Sequence, residues 1–426
     1  MNIRLLLVVS SLLILLTQSS AQDRSGVPFS WSSSGVFEST LVFEHMPEVN
    51  VFQLLNEDLN EEQYKNLPYR FAHRHSASFN LQNSGRWFDL INNANLWILG
   101  IECPEAYGIS LTFGEFYLPQ GSRMYIYNED HTRLIGGFTS EDNTPSGTLI
   151  LPALPGERII VEYYEPGSVA GEGELSIRSV AHVYKDIFNT GWDVDSRNEC
   201  YINSSCGDAR SWQEVSDATV QITVDGGTRW CNGVLVNQNG RWTRPYVITS
   251  LQAYYDSPDN WLFTFNHRSE SCEHSNYNGE MTIEFSTSGA EILAIDEEAG
   301  LMMLRLFHAP TRDWDVFYSG WDRTENNQIS NVACTHHPEG QYRKFSASEG
   351  SAWITTWNDL AVWQVDSWST GTVGPGGVGA PLFNEEGQLI GIYAGGYDSC
   401  QDNGYEYFIP FSAAWDTFKN FLDPTD

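Results

Sequence analysis

The sequence predicts an all-β protein of two domains, a β-sandwich followed by a barrel-type domain that ends in a helix. Three observations support this fold class. The chain has 426 residues, which is enough for two or three domains. Its residues are 41% hydrophobic and 13% aromatic, a composition that supplies material for cores and excludes a disordered, collagen-like or coiled-coil chain. Short apolar stretches separated by Gly, Pro and Asn recur along its length, as is typical of strands.

An export signal is predicted at the start of the chain. Residues 5–16 form an apolar run after Arg4, and small residues precede Gln22, so cleavage is expected near Ala21. A run of about a dozen apolar residues is shorter than the ~20 that span a bilayer. We therefore expect residues 1–21 to be removed and the mature protein to be secreted to the periplasm, the cell surface or the medium without spanning a membrane.

The sandwich is predicted over residues 49–184, after an N-terminal segment at residues 22–48. Its clearest strands are apolar stretches bounded by turn residues, at 97–101, 109–113, 124–127 and 158–162. A polar segment around Gly191, residues 185–199, is predicted to be the linker.

The second domain is predicted over residues 200–426. It has a further series of short apolar stretches, at 220–224, 246–249, 281–285, 301–306 and 389–393, and many short strands over this length fit a barrel-type domain. Trp415, Phe418 and Leu422 recur at helical spacing near the end of the chain, which predicts a C-terminal amphipathic helix.

The charge balance narrows the possible partners. The chain has 23 Lys and Arg against 55 Asp and Glu, a formal net charge of −32. Such a surface repels a polyanion, so nucleic acid is excluded and a protein or peptide partner is expected. No Cys or His spacing typical of zinc is present, so neither a metal nor a cofactor is predicted. The purpose of the acidity and the oligomeric state stay open.

Five motifs of the second domain occur in the order found in a known family. They lie at residues 231–236, 245–250, 320–323, 336–338 and 379–383. In these motifs the domain, from Cys200 to Leu422, resembles the secreted bacterial lysyl endopeptidases, which are chymotrypsin-like serine proteases with two six-stranded barrels. The first domain resembles that family's prodomain at residues 110–113, 118–121 and 136–140. The resemblance implies a prodomain-like sandwich followed by a chymotrypsin-like double β-barrel.

The three positions that carry the family's catalytic triad are substituted in this chain. The His motif T-A-x-H-C matches residues 249–253, which puts Gln252 in place of the base, and Gly300 stands where the family has its Asp. The Ser motif G-x-S-G-x-P matches residues 376–381, which puts Val378 in place of the nucleophile. An amide cannot act as a general base near neutral pH. We therefore predict a chain that is not an enzyme, in which the amides of Gly376 and Val378 still form an oxyanion-like hole.

The resemblance also implies a specificity pocket. Counted back from Trp415, Glu406 falls where the family has the acid that lies below a bound lysine. A buried acid there would hold a Lys or Arg side chain of a partner, and the partner segment would add to the cleft as a strand. A surface position for Glu406 in this very acidic protein is the alternative.

Seven cysteines in an exported chain favour disulfides, and their odd number leaves at least one unpaired. The resemblance implies the pairs Cys200 with Cys400 and Cys206 with Cys272. It leaves Cys103, Cys231 and Cys334 unassigned, and a bond between the last two is one option.

Three functions follow as hypotheses. The leading one is a secreted, inactive protease homologue that keeps its prodomain and binds a peptide or protein in the degenerate cleft. The second is a lysine-directed endopeptidase with a catalytic arrangement outside the motifs. The third is a structural subunit of an envelope or export complex.

Overall fold

The computed structural model describes residues 26–32, 41–188, 200–240, 243–272, 285–397, 400 and 404–424. Strands dominate this part of the chain, and the helices are few and short, so the predicted all-β class is confirmed. The predicted signal peptide, residues 189–199 of the predicted linker, and all but the last residue of the strand predicted at 281–285 lie outside the described residues.

Two sheets form the N-terminal sandwich. The strands of the first half of the chain are β1 (Phe43–His45), β2 (Tyr69–Arg70), β3 (Ala72–Asn80), β4 (Arg86–Asp89), β5 (Asn95–Glu102), β6 (Gly108–Tyr117), β7 (Arg123–Asn128), β8 (Leu134–Phe138), β9 (Leu149–Ile150), β10 (Leu154–Pro155), β11 (Arg158–Glu165) and β12 (Glu174–Val183). One sheet has the order β1-β5-β11-β7-β8, with β4 paired to β5. The other has the order β10-β6-β12-β3, with β9 paired to β6.

The side chains of β5 point alternately to the two faces of its sheet. Trp97, Leu99 and Ile101 point into the core between the sheets, and Leu96 and Ile98 point to the opposite face, where they join a second apolar cluster. The period of two places successive side chains on opposite faces of a sheet. Both faces of this strand are therefore buried, which explains why it is apolar throughout.

A helix, α1 (Val51–Glu61), lies where the sequence analysis expected only strands. The Asn50 side chain accepts a hydrogen bond from the Gln53 N–H and so caps its first turn. A 3-10 turn, Glu62–Tyr64, continues it and ends at Lys65, which adopts the left-handed conformation with φ +50°. This helix leads from β1, in the sandwich, to β2, which lies against the second domain.

The second domain holds one closed barrel and one half-barrel. Its strands are β13 (Ile202–Asn203), β14 (Thr219–Val224), β15 (Arg229–Val236), β16 (Tyr246–Ser250), β17 (Leu262–Thr264), β18 (Ser286–Ser288), β19 (Ala290–Asp296), β20 (Leu301–Leu306), β21 (Gln328–His336), β22 (Lys344–Trp357), β23 (Leu360–Val365), β24 (Pro381–Phe383), β25 (Leu389–Gly396) and β26 (Glu406–Pro410). The half-barrel has the order β18-β17-β14-β15-β16-β20-β19. The other sheet closes on itself because β22, β21, β24, β25, β26 and β23 pair in turn and β23 also pairs with β22. This matches the predicted chymotrypsin-like double barrel.

The described part of the second domain has two short α-helices, one near its start and one near its end, and both pack against the same apolar core. They are α2 (Gln213–Ser216) and α3 (Trp415–Leu422). Phe418 and Leu422 of α3 are fully buried in the core that both barrels share, as the helical spacing predicts. No helix in the described ranges is long and apolar enough to cross a membrane.

Two disulfides link distant residues of the second domain. Cys200 is bonded to Cys400 and Cys206 to Cys272, which are the pairs that the resemblance implied. The optional bond between Cys231 and Cys334 does not form: both thiols are free and buried, because they belong to the apolar cores of different barrels. Cys103 is also free, in the core of the sandwich.

A short strand just before β3 of the sandwich pairs with the second domain. Strand β2 of the first half pairs antiparallel with β15, through Tyr69 with Trp230 and Arg70 with Arg229. The Phe71 ring stacks on Trp230 with the ring centroids 3.8 Å apart. The segment that leads into the sandwich is thereby a part of the half-barrel sheet.

Candidate functional site

Two of the three positions that the sequence analysis matched to the family's triad lie side by side. Gln252 sits in a 3-10 turn, Leu251–Ala253, directly after β16, and Gly300 directly precedes β20. Because β16 pairs with β20 through Ser250 and Leu301, the two turns meet, and the Leu251 N–H donates a hydrogen bond of 2.8 Å to the Gly300 carbonyl. The Gln252 side chain accepts a hydrogen bond from the Ser250 hydroxyl at 3.1 Å.

The third position, Val378, lies in the loop before β24. Its side chain is fully buried in the same apolar cluster as Ala253. Asn232 holds the loop on two sides: its N–H donates to the Val378 carbonyl and its side-chain amide donates to the Gly376 carbonyl, both at 2.8 Å. Within the described part of the chain, the N–H groups of Gly376 and Val378 donate no hydrogen bond to a protein atom. These two donors remain available to a bound group.

The histidines of the second domain that the structure describes lie away from this loop edge or are enclosed in the core. Burial lowers the pKa of His336 to about 3 and that of His267 to about 4, and it also lowers the pKa of His337 well below its ordinary value. The backbone N–H of His337 donates a hydrogen bond to the Asn232 side-chain oxygen at 2.9 Å. His336 and His337 are therefore neutral groups enclosed in the core near neutral pH.

Glu406, the predicted pocket residue, is fully buried at the start of β26. It accepts a short hydrogen bond from the Tyr393 hydroxyl and a hydrogen bond of 2.8 Å from the ammonium group of Lys65. A Cβ at Gly396 would lie 1.8 Å from one oxygen of the Glu406 carboxylate, so only glycine leaves room for that carboxylate at this point of the pocket wall. Burial of a carboxylate is costly unless it is paired, and here the partner comes from the same chain.

Lys65 fills the pocket above Glu406. Only 8% of the residue is exposed, and its ammonium group also donates to the Val373 carbonyl at 2.5 Å. The sequence analysis did not identify this lysine, which lies 341 residues from its partner. No local pattern points to it, because Lys65 stands in a polar stretch of a kind that is normally exposed.

Ion pairs hold the segment that carries Lys65. On the side of the second domain, Glu61 binds Arg229 at 2.8 Å. Within the segment, the buried Asp58 binds Arg70 at 2.7 Å, and outside it Asp58 binds Lys185, just after the last strand of the sandwich, at 2.9 Å. Asp58 also accepts a hydrogen bond of 2.7 Å from the Tyr184 hydroxyl. We call residues 57–70, from the end of α1 through β2, the cleft segment.

A small cavity lies beside this segment. It lies between the cleft segment and the loop at Pro375 and Gly376 and takes up about 10 Å³. Among the described residues, no group of three or more His, Cys, Asp or Glu side chains is placed to hold a metal ion. The Glu406 carboxylate is already bound by the Lys65 ammonium group.

Comparison with known proteins assigns the second domain to a family. Residues 194–409 match the family described as lysyl endopeptidase, C-terminal domain. The lysyl endopeptidase of Pseudomonas aeruginosa is 24% identical over 299 residues, which span 64% of this chain and 63% of that protein. The alignment thus covers less than two thirds of the relative's length.

Solved structures of similar chains include two proteases. The Rv3671c protease, in an inactive form, is 12% identical with a TM-score of 0.34 and covers 50% of this chain and 92% of its own. The HtrA-type protease AlgW with a tripeptide is 15% identical with a TM-score of 0.35 and covers 51% of this chain and 64% of its own.

These matches correct one expectation from the sequence. The substitutions at Gln252, Gly300 and Val378 led to the prediction that the chain is not an enzyme. That prediction is contradicted, because the matched family and the matched relative are both named as lysyl endopeptidase and so point to a protease. The assignment of these three residues to the triad positions stays a prediction.

Proposed function

The chain belongs to the lysyl endopeptidase family, and we propose that its cleft recognises a lysine side chain presented by a peptide or protein segment. Glu406 would bind the ammonium group at the bottom of the pocket, and the Val373 carbonyl would accept a second hydrogen bond from it. The observation that carries this proposal is the contact between Lys65 and Glu406, in which a lysine already occupies the pocket.

Burial strengthens the electrostatic attraction between Lys65 and Glu406. The side chains of Lys65 and Glu406 are 9% and 0% exposed, so water screens the pair little. A charge-assisted hydrogen bond is roughly twice as strong as a neutral one, and an unpaired charge at this depth is strongly unfavourable. The pocket therefore favours a cation of lysine length over an apolar side chain of the same shape.

Strand pairing supports the recognition of a segment rather than of a free amino acid. Tyr69 and Arg70 of the cleft segment add to the edge of β15 by backbone hydrogen bonds, four residues after Lys65. Addition of a strand to a sheet edge gives affinity through the main chain, and a side-chain pocket then gives specificity. A partner segment would use both the pocket and this edge.

Peptide binding tests the proposal. In the full chain with Lys65→Ala, which vacates the pocket, a fluorescent peptide with a central lysine should bind at least ~100-fold more tightly than the same peptide with norleucine, since ~3 kcal/mol separates a paired from an unpaired buried acid. Adding Glu406→Gln should abolish the preference, and the matched control Glu386→Gln, at an exposed acid, should preserve it. Equal binding of both peptides would show that the pocket does not recognise lysine.

Cleavage of a lysyl peptide bond is the second candidate function. The names of the relatives favour it, and so do the unbonded N–H groups of Gly376 and Val378, which are suited to stabilise an oxyanion. The nucleophile and the base would have to come from other positions than Gln252, Gly300 and Val378, because an amide, a hydrogen and an isopropyl group supply neither. Mass spectrometry of a lysine-containing peptide after incubation with the chain distinguishes binding from cleavage.

We further propose that the protein is exported and acts outside the cytoplasm. The two disulfides support this, because such bonds persist in oxidising compartments and are rare in the cytosol. N-terminal sequencing of the mature protein tests it: a start at Gln22 is expected, and a start at Met1 would contradict it.

A further inference from the structure

We infer that the cleft segment is a resident occupant of the lysine pocket, which excludes other lysine side chains until the segment withdraws. This inference rests on the proposed function, since it concerns the regulation of the same pocket. Lys65 donates to Glu406 and to the Val373 carbonyl, so an incoming ammonium group would have to displace it from both acceptors.

The occupant is fixed at both of its ends. Before Lys65, Glu61 pairs with Arg229 of the second domain. After it, Tyr69 and Arg70 pair with β15, and the Cβ of Tyr69 lies 2.9 Å from the point that a Cβ at Gly376 would take. The segment therefore covers the loop with the two free N–H groups as well as the pocket.

The backbone of the occupant differs from that of an extended ligand. Residues Glu62–Tyr64 form a 3-10 turn, and Lys65 has φ +50° with its N–H donating to the Glu62 carbonyl at 3.3 Å. An extended segment would instead offer its N–H and carbonyl groups on both sides of the lysine to a sheet edge. The segment thus places a lysine in the pocket without presenting the residues before it as a strand.

Withdrawal of the segment also breaks contacts with the sandwich. Asp58 is only 3% exposed and binds Lys185 and the Tyr184 hydroxyl at the end of the sandwich, so the segment cannot leave the cleft as a free loop. We expect opening to move α1 or to release Asp58, and a ligand that needs the open state binds with an apparent affinity reduced by the fraction of open molecules.

Two measurements test the inference on the full chain. In the wild type, acetylation by an amine-reactive ester, followed by mass spectrometry, should modify Lys65 at least tenfold more slowly than Lys419, whose side chain is 42% exposed. Glu406→Gln should raise the rate at Lys65 and leave that at Lys419 unchanged. Independently, the lysine peptide should bind Lys65→Ala at least tenfold more tightly than the wild type or the matched control Lys419→Ala.

The outcomes separate this inference from the proposed function. Rapid acetylation of Lys65 in the wild type would overturn the inference, and so would equal peptide affinity of the wild type and Lys65→Ala, while the second result would leave lysine recognition intact. If Lys65 is protected and the peptide binds neither protein, the proposed ligand fails and the occupancy of the pocket by Lys65 stands. The labelling uses the wild-type chain, so it gives a result even where Lys65→Ala does not fold.

Discussion

Replacement of Lys65 by methionine isolates the energy of the buried ion pair. Methionine keeps much of the apolar stem but removes the ammonium group, so the Glu406 carboxylate keeps its hydrogen bond from the Tyr393 hydroxyl and loses its ion pair. Coulomb's law at the observed 2.8 Å and an effective dielectric constant of about 20 gives a gross attraction of about 6 kcal/mol. Loss of one partner of a buried pair costs about 3–5 kcal/mol, so we expect Lys65→Met to lower the free energy of unfolding by that amount.

The double variant provides the internal check. In Lys65→Met with Glu406→Gln the pocket holds no charge, so we expect it to be more stable than Lys65→Met alone by at least about 1 kcal/mol. Urea titration followed by tryptophan fluorescence measures all three proteins. The matched control Lys419→Met breaks the exposed pair with Asp416 and should leave the urea midpoint unchanged. If Lys65→Met behaves like this control, Lys65 does not occupy the pocket in solution and the reasoning is refuted.

Three further predictions concern the pocket wall, the sandwich and the disulfides. Gly396→Ala puts a Cβ 1.8 Å from the pocket carboxylate and should abolish the lysine preference in the peptide assay, whereas Gly320→Ala, whose Cβ would lie 3.9 Å from its nearest neighbour, should keep it. His182 is 1% exposed with no hydrogen-bond partner at either ring nitrogen within the described residues, and burial lowers its pKa to about 4. Its folded pKa lies below the unfolded value of about 6.5, so stability should fall by about 1–3 kcal/mol as the pH drops from 6.5 to 4, and thermal unfolding of His182→Leu should show a smaller fall. Loss of the bond between Cys200 and Cys400, which are 200 residues apart, should lower stability by up to about 5 kcal/mol in a urea titration of the Cys-to-Ser double variant; an unchanged midpoint would argue that the bond does not constrain the unfolded chain.

The all-β fold was predictable because its evidence is local. A strand is recognisable from an apolar stretch of about five residues between turn residues. The spacing of Trp415, Phe418 and Leu422 indicates the last helix equally clearly. Glu406 was predictable only through the resemblance, since a buried acid and a surface acid look alike in a sequence with 55 acidic residues.

Helix α1 shows why the rest was not predictable. Its apolar side chains Phe52 and Leu59 are 78% and 73% exposed, and its buried residue is Asp58. Hydrophobic patterning assumes that the apolar face of a helix is turned to the core. Here ion pairs from distant parts of the chain hold the polar face inward, so the pattern gives the wrong face and no information about Lys65.

Lys65 and the pocket that it occupies belong to the same polypeptide chain. This tethering limits the binding of an external ligand that an assay can detect. A group tethered close to its site acts at an effective concentration in the millimolar range or above. If an external lysine segment bound the open pocket with a dissociation constant of about 1 μM and Lys65 bound it equally well, only about one molecule in a thousand would be open, and the apparent constant would rise to about 1 mM. A peptide screened at micromolar concentration against the wild type would then show no binding, although the pocket is intact. Lysine recognition by this chain must therefore be measured with the cleft segment displaced, because a negative result on the wild type reports on Lys65 and not on Glu406.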